Sequence, residues 1–449
     1  MMPLVERGKG RILVLGMGIS GMAAARLLAE HGYSIEMFDT APSEKLSRAI
    51  DEAERLGAVL HLNREPDLSR IDEAVISPGF PPNAFPAPPL RQKGVPIISE
   101  IELACRFAHG PVVGVTGTNG KSTVTTLTEH FLLAAGIAAR AAGNLGTPWA
   151  DLVGRANSTD FISVLELSSF QLEEIVQFRP DAAAFLNLAP DHLDRYASVE
   201  EYGRAKWNMC RNQIETDLLV VPPELWEEAG VRSRATRMCV ALADHGRPGA
   251  FVSQGAVVIR DLDGKETRLA CPTLEKKFPF QITNGLFSLL LAQRMGADPA
   301  RVLAGWEDFS ELAHRIELVR EVGGVLYFND SKATNVHATA SALANIPGPI
   351  IWLAGGSDKR ESFAPLSECM GAVKVAILYG ATRQAIAEAV RTHVDTRLVE
   401  TLEQAVALAA SLARPGDRVL LSPASASYDQ FRNFAVRGNT FKKLVGDLP

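Results

Sequence analysis

At 449 residues the chain exceeds what a single hydrophobic core fills, so two or three domains are expected. Hydrophobic residues make up 47%, charged residues 22% and aromatics 7%, a profile that excludes disorder, fibres and disulfide scaffolds and points to an α/β enzyme. The net charge of −6 disfavours nucleic-acid binding, and no apolar run reaches the ~18 residues of a membrane span.

The five cysteines (Cys105, Cys210, Cys239, Cys271, Cys369) show neither C-x-x-C pairing nor zinc spacing. They read as reduced thiols of a cytoplasmic protein. The charged start of the chain leads directly into a short strand, residues 12–15, without a secretory apolar core. Gly16-x-Gly18-x-x-Gly21 follows, then a helical stretch at 21–31 and a strand at 34–38 closed by Asp39. Glycines at this spacing let backbone approach a pyrophosphate at a helix N-terminus. A redox dinucleotide, another nucleotide diphosphate and a purely structural turn all stay open on this motif alone.

A strand at 74–76 leads to Ser77-Pro78-Gly79, and the prolines between 81 and 89 predict a loop. After a helical stretch at 100–107, His109-Gly110-Pro111 ends a first domain, 1–109. A buried strand at 112–115 then feeds Gly117-Thr118-Asn119-Gly120-Lys121-Ser122-Thr123, with a helix expected from about Thr125. Val115 stands where the usual phosphate-loop spelling has its first glycine. The physics survives: loop N–H groups face phosphates, Lys121 reaches the terminal ones, and Ser122 offers a hydroxyl to magnesium. Magnesium also needs a carboxylate oxygen, and Glu166, ending an apolar strand, is the candidate. Asp191-His192-Leu193-Asp194 by itself reads as a helix cap with a surface histidine. Strands at 182–187, 218–221, 238–241 and 256–260 extend a central domain, 110–311. Strands at 325–329, 350–354, 375–379 and 418–421 build another open sheet, 312–449.

In order along the chain, GMGISG (16–21), SPG (77–79), GVTGTNGKST (114–123), AGNLG (142–146), ELSSFQLE (166–173), DHLDRY (191–196), EYGRAK (201–206), HRIE (314–317), NDSKATN (329–335), GGSDK (355–359) and SPASASYDQFRNF (422–434) resemble the Mur ligases. ELSSFQLE and the last motif are similar to those of the D-glutamate-adding members. The resemblance implies an α/β protein of three domains: a Rossmann-like N-terminal domain, a central P-loop ATPase-like domain and a Rossmann-like C-terminal domain. It further implies a monomeric amide ligase that joins D-glutamate to UDP-N-acetylmuramoyl-L-alanine through an acyl phosphate. ATP and two Mg2+ would be used, with Mn2+ able to substitute.

The resemblance also carries over residue by residue. Gly117 to Thr123 would hold the ATP phosphates; Lys121, Glu166, His192 and Lys206 would be catalytic. Ser122 and Glu166 would bind one metal, and His192 with a carbamylated Lys206 the second. Asn284, Arg315 and Asp330 would hold adenine, phosphates and ribose, with Lys332 near the transferred phosphate. Ile19, Ser20, Asp39, Thr40, Ser77, Gly79 and Asn144 would contact the nucleotide-linked substrate, and Thr334, Lys359, Ser427 and Phe434 the glutamate. The rivals are a related ligase adding L-glutamate or another amino acid, and an NAD-binding regulatory or redox protein.

Overall fold

Near-continuous apolar runs such as Ile12–Leu15, every residue buried, are what strands covered on both faces require. The computed structural model describes residues 10–62, 64–155, 161–193, 195–309, 312–358 and 362–449, and their strands form three sheets. The first runs in the order Val59–Leu62, Ser34–Asp39, Arg11–Leu15, Glu73–Ile76, Ile97–Ser99, all parallel. Its two edge strands have four and three residues, too short for a readable pattern. Helix Ile19–Glu30 starts two residues before the periodicity indicates, directly after the glycine loop. Pro88 and Pro89 open a short helix, Ala87–Gln92, where a loop is expected; a proline in the first turn gives up no helical hydrogen bond.

The second sheet runs Glu266–Ala270, Ala256–Arg260, Gly249–Ser253, Thr236–Val240, Leu218–Val221, Ala182–Phe185, Val112–Thr116, Ile162–Glu166, Ala139–Gly143. It is parallel except for the two hairpin pairings at its first edge. The helix after the phosphate loop spans Lys121–Ala134, four residues earlier than expected. Gly120, at φ 86°, turns the chain into it, so Lys121 and Ser122 lie in its first turn.

The third sheet runs Glu317–Val322, Val325–Asn329, Arg418–Leu421, Ile350–Gly355, Val373–Tyr379, Asp395–Leu398, antiparallel only at its first pair. The described residues divide into two compact units. One holds the chain to Leu188 with His192–Lys277 and Gln281–Phe309; the other holds Ala189–Asp191, Phe278–Phe280 and the residues from 312 on. The first two sheets share the first unit, and one buried cluster runs through both, from Leu27 and Leu28 through Ile101 and Trp149 to Phe178 and Phe185.

Candidate functional site

In the first unit the strand Val112–Thr116 delivers its chain end to the loop at 117–120. Gly117, at φ 147°, lies against Leu186 and Asn187, where a Cβ would come within 3.1 Å of Leu186 Cβ. Asn187 pins the loop twice: its carbonyl accepts Thr118 N (3.0 Å) and its side chain accepts Asn119 N (2.9 Å). Lys121 Nζ donates to the carbonyls of Gly117 (2.9 Å) and Thr118 (2.8 Å), curling the loop around the ammonium. Lys206 Nζ, only 1% exposed, donates to the same Gly117 carbonyl at 2.9 Å. Two lysines 85 residues apart thus converge on one oxygen. Gly285 leaves room for the Trp306 ring against its helix, and its neighbour Asn284 faces Gly120 at 3.0 Å from where a Cβ would stand.

Glu166 ends the strand beside the loop's own strand, in register with Val115, and is buried. Asn144 braces it, the amide Nδ2 donating to Glu166 Oε1 at 2.7 Å and the backbone N to the Glu166 carbonyl at 2.9 Å. Gly143 between them has φ 89° and its Cβ position is 2.3 Å from the Glu166 carbonyl, so only glycine fits. His192, held at φ 55°, packs on Phe170 (ring centroids 4.9 Å) and Tyr202 (6.0 Å). Tyr202 also contacts Lys206, whose Nζ lies 4.5 Å from the ring centroid. Tyr202 therefore spaces the histidine and the lysine.

The glycine loop of the first sheet is braced by Asp39: its two oxygens accept Met17 N and Ala41 N, each at 2.7 Å. Ser77 Oγ donates to the Gly16 carbonyl. Ile19, exposed, and Ser20, half-buried, start the following helix, and Thr40 and Gly79 follow the two strands that flank Arg11–Leu15. A cavity of about 410 Å³ opens beside Ile19, bordered by Arg140, Gly146 and Thr147.

In the second unit, Asp330, Lys332 and Thr334 follow the strand Val325–Asn329, and Ser427 and Phe434 follow the adjacent strand Arg418–Leu421. These are the carboxyl ends of parallel strands, where open α/β sheets bind ligands. Asp330 is buried, accepting from Ser422 Oγ (2.8 Å) and Ile316 N (3.3 Å). Burial pushes its carboxyl up to about 7, against the opposing pull of Ser422 and the nearby Arg315. Lys332 Nζ lies 5.4 Å from the Phe434 ring centroid. Arg437 ties the loops together, donating to Ser331 Oγ and to the carbonyls of Ser331, Gly355, Ser425 and Ala426. Lys359 falls outside the described residues.

Sequence reading misses Asn187, Tyr202 and Arg437. Asn187 leaves a signal, a polar residue just after a buried apolar strand; Arg437 looks like any charge on a surface helix, yet it is fully buried. Among the described residues no three His, Cys, Asp or Glu side chains gather as a metal cluster. Magnesium takes one or two carboxylates and completes its oxygen set from phosphates and water. The buried Glu166 carboxylate next to the loop and the Ser122 hydroxyl are hard oxygen donors of the right kind, so the residues fit the ion.

A glycine loop of diphosphate type, a phosphate loop with two lysines on one carbonyl and a buried carboxylate beside it, and sheets that are parallel except at their edges define a nucleotide-using α/β enzyme. Comparison with known proteins gives its kind. "Mur ligase MurD-like, N-terminal domain" matches residues 10–99, "Mur ligase middle domain" residues 115–239, and "Mur ligase, glutamate ligase domain" residues 314–425. The UDP-N-acetylmuramoylalanine--D-glutamate ligase of Geobacter metallireducens is 38% identical over 97% of this chain and 97% of its own length. That of Geotalea uraniireducens is 38% identical over 98% and 97%. A solved MurF ligase from Thermotoga maritima in complex with ADP shares the fold, with a TM-score of 0.60 over 92% of this chain and 95% of that one at 18% identity. The chain belongs to the Mur ligase family. Within it, the full-length likeness is to the UDP-N-acetylmuramoylalanine--D-glutamate ligases.

Proposed function

We propose that this chain joins D-glutamate to UDP-N-acetylmuramoyl-L-alanine with consumption of ATP, in peptidoglycan precursor synthesis. The full-length relatives support that reaction, and the convergence of Lys121 and Lys206 on the Gly117 carbonyl, beside the buried Glu166, carries the assignment of the ATP site. Residues 1–109 hold the UDP end, 110–311 most of the ATP, and 312–449 the incoming amino acid and the rest of the ATP site. The enzyme acts as a cytoplasmic monomer.

Joining a carboxylate to an amine in water needs a leaving group better than hydroxide. Phosphorylation of the alanyl carboxylate by the γ-phosphate of ATP supplies one, forming an acyl phosphate and releasing ADP. The glutamate amine then adds to the acyl carbon, and the tetrahedral intermediate expels phosphate. Lys121, held in the loop's curl, sits with the terminal phosphates; Asn144 orients the substrate near its reacting carboxylate while fixing Glu166. Ser122 and Glu166 would hold one Mg2+, with Mn2+ a substitute, and His192 and Lys206 would serve a second. When bound, the ions neutralise charge on the transferring phosphoryl group.

Lys206 acts as a carbamate. A buried ammonium next to a divalent cation would repel it, whereas the adduct with carbon dioxide supplies an anionic oxygen. Asn284 serves the adenine, Arg315 the phosphates, Asp330 the ribose and Lys332 the phosphate in transfer. Thr334, Lys359, Ser427 and Phe434 bind the glutamate carboxylates. Ile19, Ser20, Asp39, Thr40, Ser77 and Gly79 border the nucleotide-linked substrate, with Asp39 acting through the loop it braces.

The test is ADP release with UDP-N-acetylmuramoyl-L-alanine and either D- or L-glutamate. Release should require the D-enantiomer; equal rates with L-glutamate, or release independent of amino acid, would overturn the reading.

A further inference from the structure

Acidic residues in a first helical turn ordinarily do no more than complement the helix dipole. Glu100 and Glu102, in the first turn of helix Glu100–Cys105, do something else. Both are buried, at 1% and 0% exposure, and both accept hydrogen bonds from backbone belonging to the second sheet's part of the first unit. Glu100 Oε1 accepts Ala150 N at 2.6 Å. Glu102 takes three successive amides: Val176 N at 2.9 Å, Gln177 N at 2.9 and 3.0 Å to its two oxygens, and Phe178 N at 3.0 Å. The stitching continues on either side, with Ser99 N donating to the Glu174 carbonyl at 3.1 Å and Arg91 pairing with the Glu174 side chain.

What the gripped segments carry gives the contact its meaning. Ala150, in helix Trp149–Arg155, lies six residues past Asn144, and 176–178 lie beyond the short helix Ser169–Leu172 that follows Glu166. On the other side, Ser99 ends the strand Ile97–Ser99, which pairs with Glu73–Ile76, the strand that leads to Ser77 and Gly79. A buried carboxylate that accepts several amides is a strong, directional tie, because charge-assisted hydrogen bonds are about twice as strong as neutral ones and lie here out of water.

We infer that Glu100 and Glu102 are positioning residues for the ligation: they bolt the sheet holding the UDP end of the substrate to the segments that follow Asn144 and Glu166 in the chain. This fixes where the alanyl carboxylate arrives relative to the phosphate loop. The inference rests on the proposed division of the substrate between the two sheets. Glu100 has a second oxygen, Oε2, that is buried with no hydrogen-bond partner, so an amide in its place keeps the working contact through Oε1.

The experiment compares full-length Glu102→Ala, Glu102→Gln, Glu100→Ala and Glu100→Gln with wild type. Affinities for UDP alone and for ATP alone should stay within about twofold, since each ligand uses one side of the bolt, while kcat/KM for the full nucleotide-linked substrate falls roughly 100-fold in Glu102→Ala, the scale of an ångström misplacement. Glu100→Gln should recover most of what Glu100→Ala loses. Unchanged kcat/KM in both alanine variants overturns the inference, as do UDP and ATP affinities that fall in step with it. Hydrogen exchange provides a readout independent of the reaction. In Glu102→Ala the amides of 176–178 should exchange at least tenfold faster, with those of Arg11–Leu15 unchanged, and equal protection in the variant overturns the bolt. A wild-type enzyme inactive with D-glutamate but showing this exchange difference would reject the proposed reaction and leave the bolt standing.

Discussion

Lys206 is the residue whose appearance changes most between chain and structure. In the sequence it is one lysine on a helix with acidic residues in its first turn; in the fold it is buried and bonded to the phosphate loop. Replacing it with alanine should abolish nearly all ligation, and added acetate or a similar small carboxylate should return part of it by occupying the vacated space. Wild-type turnover in Lys206→Ala would contradict the carbamate role. Asp330 shows how burial sets a charge. Its carboxyl is pushed up to about 7 from an ordinary 3.8, so the folded state holds a proton that the unfolded chain releases. The stability this brings is complete below pH 3.8 and is lost as pH rises through 7. Asp330→Asn should therefore gain in Tm on wild type between pH 5 and pH 8; a constant difference across that range would refute the assignment.

At the scale of elements, the site is made of strand ends and the turns that leave them. Gly143 and Gly136 both have positive φ, 89° and 81°, but only Gly143 has backbone where a Cβ would go, the Glu166 carbonyl at 2.3 Å. Gly136→Ala should cost only the left-handed strain, about 1 kcal/mol. Gly143→Ala should cost roughly 3 kcal/mol, because strain and overlap add, and should lower activity by displacing Asn144 and Glu166. Urea unfolding of the two variants side by side checks this, and equal destabilisation would mean that the turn tolerates a side chain. Helix starts follow the same logic: Gly120 rather than an apolar residue decides where Lys121–Ala134 begins, so apolar periodicity placed it a turn late.

For the whole molecule, two compact units imply separable unfolding, and Arg437 belongs wholly to the second. Its guanidinium is buried among carbonyls and a serine hydroxyl that lysine's single ammonium cannot satisfy together. Arg437→Lys should lower the melting transition of the second unit by about 3 kcal/mol or more, whereas non-hydrolysable ATP with magnesium should still raise that of the first. Calorimetry in which both transitions drop together would show that the units unfold as one.

Apolar runs and glycine spacings are local, and they determined the α/β class, the central strands of all three sheets and the loops expected to meet phosphates. Short edge strands such as Ile97–Ser99 and Asp395–Leu398 left no pattern because three or four residues cannot show one. Lys121 and Glu166 were legible because each ends or follows a strand with a recognisable motif, whereas Asn144 was expected only through the family resemblance. Asn187, Tyr202, Arg437 and the Glu100–Glu102 pair were not, since their roles depend on what lies opposite after folding. A glutamate in a first helical turn has the same local sequence whether it meets water or three buried amides. Only the packing of one sheet against another decided which of these charges became structural, by removing water and leaving backbone N–H groups as their partners.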